Sequence, residues 1–195
     1  MSSISTENEL GEFVISSCFY NGFYFSIYWN HFSARLLLAG TQEQTSRVNL
    51  LALALQNQTL IKKINKCDRL VALLESFYAG KKVGVKPLPL GTPFQMKVWD
   101  KLQTIPFGET KNYKQIATEI GNPKACRAVG GACGKNPILL LIPCHRVIAS
   151  DKTLGGFTGS FSLKETLLEI EGFNLVSHSP GLKFPRVLPR ENGLD

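Results

Sequence analysis

Five consecutive apolar residues, Ile138 to Ile142, lead without a break into Pro143-Cys144-His145-Arg146. A run of that composition predicts a strand buried on both faces, which would deliver a cysteine and a histidine to the edge of a core. A thiol near its free pKa of about 8.5 is mostly protonated at neutral pH, and an adjacent imidazole held by a carboxylate can lower that value and release the thiolate. The same residues also suit a small buried hydrophobe beside a hydrogen-bonded core histidine. Both readings stand at this point.

A chain of 195 residues can bury a substantial core and has room for one domain or a pair of small ones. Lys and Arg number 22 against 15 Asp and Glu, a net charge of +7. The isoelectric point near 9.2 favours anionic partners such as nucleic acid, although surface charge kept for solubility gives the same balance. The five cysteines form no CxxC pair and follow no signal peptide, so reduced thiols inside a cell are expected. Cys18, Cys67, Cys126 and Cys133 read as packing residues. No apolar stretch reaches the roughly 20 residues that span a bilayer, and a soluble protein without membrane association is expected.

The fold class predicted is α+β. Residues 12–39 are rich in Phe, Tyr, Ile and Leu, with turn signals at Asn21-Gly22 and Asn30-His31, which predicts a small antiparallel sheet. From Val48 to Tyr78 apolar residues recur at helical spacing (Leu51, Leu53, Leu55, then Leu70, Leu73, Leu74, Phe77), so helices should pack on that sheet. Lys81 to Gly91, with Pro87 and Pro89, reads as a linker between a first unit over 1–86 and a second over 92–176. In the second unit Thr92-Pro93-Phe94 has the form of an N-cap followed by proline at the first helical position, and Phe94, Val98, Trp99 and Leu102 make one stripe. Pro106-Phe107-Gly108 stops that helix. A second helix is predicted from Tyr113 to Ile120, and a third from Pro123 towards Cys133 after a turn at Gly121-Asn122. Two short helices around a glycine turn resemble a helix-turn-helix. The tail from Ser177 to Asp195, with Pro180, Pro185 and Pro189, is expected to be poorly ordered.

The third predicted helix carries tiny residues along most of its surface, including Gly130-Gly131, and each glycine costs about 1 kcal/mol relative to alanine. Something must therefore approach it closely. A second protein element is one candidate. Nucleic acid is the other, because a slim helix fits even a narrow groove. Arg127, the long side chain at its middle, could then occupy the space of an extruded base while Lys124 and the helix N-terminus meet phosphates.

Taken together, Gly121-Asn-Pro-Lys-Ala-Cys-Arg-Ala-Val-Gly-Gly-Ala, Lys135-Asn136-Pro137, Ile142-Pro-Cys-His-Arg-Val, Pro106-Phe-Gly-Glu-Thr and Tyr113 resemble the O6-alkylguanine-DNA alkyltransferases over about residues 92–173. The N-terminal half resembles only the general pattern, a ribonuclease-H-like sheet with helices, that precedes the active domain in that family. The resemblance implies direct reversal of damage in double-stranded DNA. An O6-alkylguanine, or less efficiently an O4-alkylthymine, is rotated out through the minor groove, and its alkyl group passes irreversibly to Cys144.

The same resemblance implies that His145 acts through a water as base, Glu171 orients the imidazole, Tyr113 donates towards O6, and Asn136 ties the recognition helix to the active turn. It places Arg127, Lys114, Asn122, Lys124, Ala125, Gly130 and Ser150 at the DNA. Val147 joins Cys144 in reading the base through main-chain carbonyls, under a loop containing Phe157, Thr158 and Gly159. Relatives commonly carry Tyr-Ser-Gly-Gly in that loop, so Phe157, Thr158 and Ser160 depart from the pattern and bear on pocket width. No cofactor is implied. A monomer, able to act cooperatively on DNA, is expected in the cytoplasm or, in a eukaryotic host, the nucleus.

Some relatives hold zinc in the N-terminal half, but here only Cys18 and His31 offer themselves, so no metal is expected. A non-catalytic sensor of alkylated DNA would share the helices and Arg127 but replace the reactive cysteine. A thiol hydrolase would need an oxyanion hole and would have no use for the slim basic helix. A combined repair protein and transcription activator would need an additional metal-bearing domain.

Overall fold

Asn21 and Gly22 both take positive φ, +45° and +82°, the backbone of a two-residue loop whose twist suits a hairpin. They join β1 (Val14–Tyr20) to β2 (Phe23–Trp29) in antiparallel register, Tyr20 opposite Phe23. The computed structural model describes residues 14–29, 33–40, 63–64, 68–154, 161–176 and 185–190. β3 (Ser33–Gly40) continues the antiparallel set, with an irregularity at Tyr28/Trp29. Two short edge strands, β4 (Lys63–Ile64) beside β1 and β5 (Lys86–Pro87) beside β3, pair in parallel, giving the order β4-β1-β2-β3-β5. The sheet is thus antiparallel in its centre and parallel at both edges. β5 lies within the segment read as a linker, held by its ladder to Ser33 and Ala34 and by the Leu88 amide donating to the Ala34 carbonyl at 2.7 Å.

Helix α1 (Asp68–Tyr78) buries Leu70, Leu73, Leu74 and Phe77, the stripe its spacing predicted. The helical positions Leu51, Leu53 and Leu55 lie outside the described residues, as does His31. Beyond β5 comes α2 (Pro93–Leu102). Thr92 caps it: its hydroxyl accepts from the Gln95 amide while the Gln95 side chain accepts from the Thr92 amide. β6 (Lys111–Asn112) leads into α3 (Tyr113–Glu119), capped by the same reciprocal exchange between Asn112 and Gln115. Helix α4 (Cys126–Gly134) begins later than expected, because Pro123 and Lys124 form a turn and Ala125 stands at the N-cap without a side-chain cap. A 3₁₀ turn (Cys144–Arg146), β7 (Val147–Ile148) parallel to β6, α5 (Phe161–Ile170), β8 (Phe173–Val176) and β9 (Arg186–Pro189) complete the order.

Two expectations are corrected. Ile138–Ile142 is not a strand. Ile138 makes a single bridge to Leu37, and the chain then coils so that the Ile142 amide donates to the Ile138 carbonyl at 3.0 Å, with Leu140 at φ +65°. The residues are apolar because the turn is packed inside the core, where Ile138, Leu140 and Ile142 are all buried. The tail is also ordered in part: β9 pairs antiparallel with β8, Val187 opposite Leu175, because Val187 has an apolar cluster to enter.

One apolar core takes Phe25, Ile27 and Leu37 from the sheet and Phe77 from α1. It joins them to Val98, Trp99, Ile116, Val129, Ile142, Cys144 and Leu167. The Leu37 amide donates to the Pro137 carbonyl at 2.9 Å, and the Leu139 amide donates back to the Leu37 carbonyl at 3.0 Å. The central sheet thereby grips the segment that ends in Cys144. No helix among the described residues is long and apolar enough to cross a membrane.

Candidate active site

Asn136 closes the coiled segment before the cysteine. Its Nδ2 donates to the Ile142 carbonyl at 2.7 Å and to Cys144 Sγ at 3.1 Å, while Oδ1 accepts from the Ile138 amide at 3.0 Å. A buried amide with its donors and its acceptor engaged is held in one orientation, and the sulfur is held with it. A leucine at positive φ costs about 1 kcal/mol, and Asn136 closes the turn containing Leu140.

The next two residues converge on one carboxylate. His145 Nε2 lies 2.7 Å from Glu171 Oε1. Arg146 Nε donates to Glu171 Oε2 at 2.9 Å, and its guanidinium also donates to the Ile105 carbonyl. The Gly108 amide adds a further contact, 3.1 Å to Oε2, from a backbone at φ +77° that glycine adopts without strain. This gives the Pro106-Phe107-Gly108 stop a second purpose, since it brings an N–H to the carboxylate. The ring of Phe77 from α1 meets the imidazole edge to face at 5.9 Å.

Burial of Glu171 by itself would raise its pKa, but the bonds from His145 and Arg146 outweigh it and hold the carboxyl below its ordinary range. For His145 burial dominates and depresses the pKa despite Glu171. The imidazole is therefore neutral at pH 7. An ionised carboxylate can only accept, so Nε2 carries the proton and Nδ1 keeps a lone pair, the form of a general base.

The thiol differs from expectation. Burial raises the Cys144 pKa above its ordinary value, and the opposing effects of Asn136 and Lys164 do not cancel that rise. The resting sulfur is thus a protonated thiol, not a preformed thiolate, because Cys144 is only 3% exposed and a charge there would be poorly solvated. Lys164 is itself buried; its ammonium donates to the Val147 carbonyl at 2.7 Å and the Leu154 carbonyl at 2.8 Å. Desolvation lowers its pKa to about 8, with Cys144 and Cys133 opposing the fall.

On the outer side lies an open cleft of about 420 Å³ lined by Tyr113, Lys114, Cys126, Arg127, Gly130, Ala149 and Ser150. α3 and α4 form one wall. α4 turns Val129, Ala132 and Cys133 inward, with Trp99 Nε1 donating to the Ala132 carbonyl at 2.9 Å, and leaves Arg127, Ala128 and Gly131 exposed. The Tyr113 ring lies beside Gly130, 3.8 Å from where a Cβ would stand. Burial, then coupling to the Cys133 and Cys144 sulfurs, pushes the Tyr113 pKa far up, so its hydroxyl remains a donor.

Of the residues named from sequence, Asn136 and Cys144 form one hydrogen-bonded pair and His145 and Glu171 another, the two joined through the peptide between Cys144 and His145, and Tyr113, Lys114, Arg127, Gly130 and Ser150 share the cleft. Val147 is buried, its carbonyl engaged by Lys164. Asn122 and Lys124 are exposed and Ala125 half-buried in the turn between α3 and α4, outside the cleft lining. Phe157, Thr158, Gly159 and Ser160 lie outside the described residues. Sequence reasoning assigned no site role to Arg146, Lys164, Gly108 or Ala149, and read Cys126, which lines the cleft, as a packing residue. Lys164 had a usable signal: it stands in the apolar stripe of α5 with Leu163, Leu167 and Leu168. Among the described residues no group of three or more His, Cys, Asp and Glu side chains is placed to hold a metal ion.

Fold and site together define an α+β protein with a buried cysteine held by Asn136, a His–Glu pair next to it in the chain, and a helix-walled cleft. Residues 93–173 match the model of the 6-O-methylguanine DNA methyltransferase DNA-binding domain. A methylated-DNA–protein-cysteine methyltransferase of Methanosarcina acetivorans is 50% identical over 101 residues, 51% of this chain and 65% of that protein. One from Shigella flexneri is 45% identical over 106 residues, 53% and 62% of the two chains. The matched segment thus spans somewhat under two thirds of these curated relatives. The O6-methylguanine methyltransferase of Mycobacterium tuberculosis superposes with a TM-score of 0.67 at 33% identity, over 82% of this chain and 93% of that one. The same enzyme in complex with DNA gives 0.66 at 34% identity, over 80% and 91%. The chain belongs to the O6-methylguanine-DNA methyltransferase family.

Proposed function

We propose that the protein repairs alkylated DNA by direct reversal, taking the alkyl group from O6 of guanine, and less efficiently from O4 of thymine, onto Cys144. The observation that carries this reading is the sulfur held at 3.1 Å by Asn136 at the head of a turn whose next side chain is a neutral imidazole 2.7 Å from a carboxylate. The thiol proton passes to Nδ1 of His145, through a water, and Glu171 offsets the imidazolium charge. The sulfur then attacks the alkyl carbon; the S–C bond forms, the C–O bond breaks, and its electron pair stays on O6. Tyr113 donates a hydrogen bond to that oxygen as charge develops, and the purine recovers the proton at N1. A thioether does not leave under these conditions, so each molecule acts once.

Recognition follows from the slim helix. In this reading α3, the turn and α4 act as a helix-turn-helix whose small-residue face enters the minor groove. Arg127 fills the space of the rotated base, and Lys114, Asn122, Lys124, Ala125, Gly130 and Ser150 meet the strand. The carbonyls of Cys144 and Val147 read the exocyclic amine, with Phe157, Thr158 and Gly159 covering the base. The segment 1–86 is a ribonuclease-H-like unit supporting a DNA-binding and acceptor unit over 92–176. The protein works as a monomer in the compartment that holds the DNA.

Incubation with duplex DNA carrying O6-methylguanine should add one methyl group to the intact protein and then stop, with no addition to Cys144→Ala. Methylation elsewhere, continued turnover, or tight binding without transfer would overturn the assignment.

A further inference from the structure

The strand β9 lies beyond the family-model match, which ends at residue 173, yet it is bonded to the segment that follows two residues of the cleft lining, Ala149 and Ser150. On one edge it pairs with β8. On the other, the Val187 amide donates to the Lys152 carbonyl at 2.8 Å, the Leu154 amide donates to the Pro185 carbonyl at 3.3 Å, and Arg186 bridges Thr153 antiparallel. β9 is therefore the middle of three extended segments, and Val187, 2% exposed, is its inward side chain. It enters a second apolar cluster with Ile148, Leu154, Leu168 and Phe173, separate from the main core.

What β9 grips is a wall of the cleft. Ala149 and Ser150 line it, and they belong to a turn closed by the Ala149 amide on the Thr153 carbonyl at 2.9 Å and the Lys152 amide on the Ala149 carbonyl at 3.0 Å. That turn holds Lys152 at φ +64°, a conformation disfavoured for a residue with a Cβ, and its Asp151 carboxylate is spent inside it, accepting from the Thr153 amide and hydroxyl. A two-stranded pairing alone is marginal in water and needs a third strand or an apolar face to persist. β9 supplies the strand and Val187 the face.

We propose that Val187 is a positioning residue for DNA repair: by locking β9 against Lys152–Leu154 it holds Ala149 and Ser150 in place in the cleft they share with Arg127, without itself meeting DNA. This rests on the reading of the cleft as the duplex-binding surface. It accounts for an ordered strand in a stretch bearing Pro185 and Pro189, where composition alone predicts disorder.

The test uses the full chain with Val187→Ala, the milder Val187→Thr, and Val187→Ile. Single-turnover methyl transfer is followed from a duplex carrying O6-methylguanine and from free O6-methylguanine base, alongside affinity for an unmodified duplex. In Val187→Ala the duplex rate and the duplex affinity should fall between about 10-fold and 100-fold, the scale of an ångström-sized misplacement. The free-base rate should stay within about 3-fold, and Val187→Ile should retain both rates. If Val187→Ala does not fold, Val187→Thr decides on the same ratio. Equal losses on both substrates, or none on the duplex, would overturn the proposal. Absence of transfer by the unaltered protein would sink the repair assignment instead, and duplex affinity of the variants would still judge the role of Val187.

Discussion

Nε2 of His145 stands 2.7 Å from Oε1 of Glu171, and the two side chains are 2% and 0% exposed. The carboxylate belongs at once to the imidazole, to Arg146 and to the Gly108 amide. One residue just beyond α5 therefore sets the tautomer of the base and neutralises a buried guanidinium.

Glu171→Gln keeps the shape and removes the charge. Methyl transfer should fall by about 100-fold or more, the range associated with a positioned base, and stability should drop by roughly 3–5 kcal/mol because Arg146 is left buried without its partner. Transfer rates and denaturant melts check both numbers. Unchanged kinetics would remove the His–Glu pair from the mechanism.

Stability should fall on acidification. The folded pKa of His145 is depressed by burial, so its contribution is present above the ordinary imidazole value and is lost as pH falls towards the folded value. Glu171, also held low in the folded state, contributes above the ordinary carboxyl value and adds a second loss at more acid pH. Thermal melts from about pH 8 down to about pH 4, a range that brackets both ordinary values, should show falling stability, with the first part of the fall reduced in His145→Phe.

The raised Cys144 pKa predicts a slow thiol in the absence of DNA. Iodoacetamide should modify Cys144 more slowly at neutral pH than it modifies a free cysteine. Peptide mapping measures the rate, and faster modification would mean that the resting sulfur is already ionised.

Asn136→Ala removes the donor to Sγ, takes one of two donors from the Ile142 carbonyl, which keeps the Cys144 amide at 2.8 Å, and leaves the Ile138 amide without its acceptor in the core. A loss of about 1–3 kcal/mol is expected for the stranded amide. Alkyl transfer should slow in whatever fraction remains folded. A melt shift below that range would show that the turn relaxes.

Arg127→Ala should impair transfer from duplex far more than from free O6-methylguanine base. Arg127 is exposed in the cleft and takes no part in the bonds around Cys144. Single-turnover assays on the two substrates give the ratio, and equal losses would deny the arginine its place in base rotation.

Local chemistry was readable in the chain. Thr92-Pro93 with Gln95 states a helix start because the cap bonds lie within three residues, and Asn21-Gly22 states a hairpin because its φ values depend on those two residues alone. The ordered motifs around Tyr113, Arg127, Asn136 and Cys144 announced the chemistry for a similar reason: side-chain type carries reactivity wherever the backbone goes. Ile138–Ile142 misled, since an apolar run reports burial but not whether its amides find a neighbouring strand or one another. The proline-bearing tail misled in the opposite sense, because β9 is stabilised by partners at Lys152–Leu154 and β8 that no window around residue 187 contains.

The sequence by itself therefore determined which atoms can react and where short helices and turns begin. Only the tertiary structure decided the protonation of those atoms: a thiol kept protonated by burial, an imidazole kept neutral, and a carboxylate kept ionised. Each pKa follows from the solvent excluded and the charges gathered by residues distant in the chain, as Gly108 and Glu171 are.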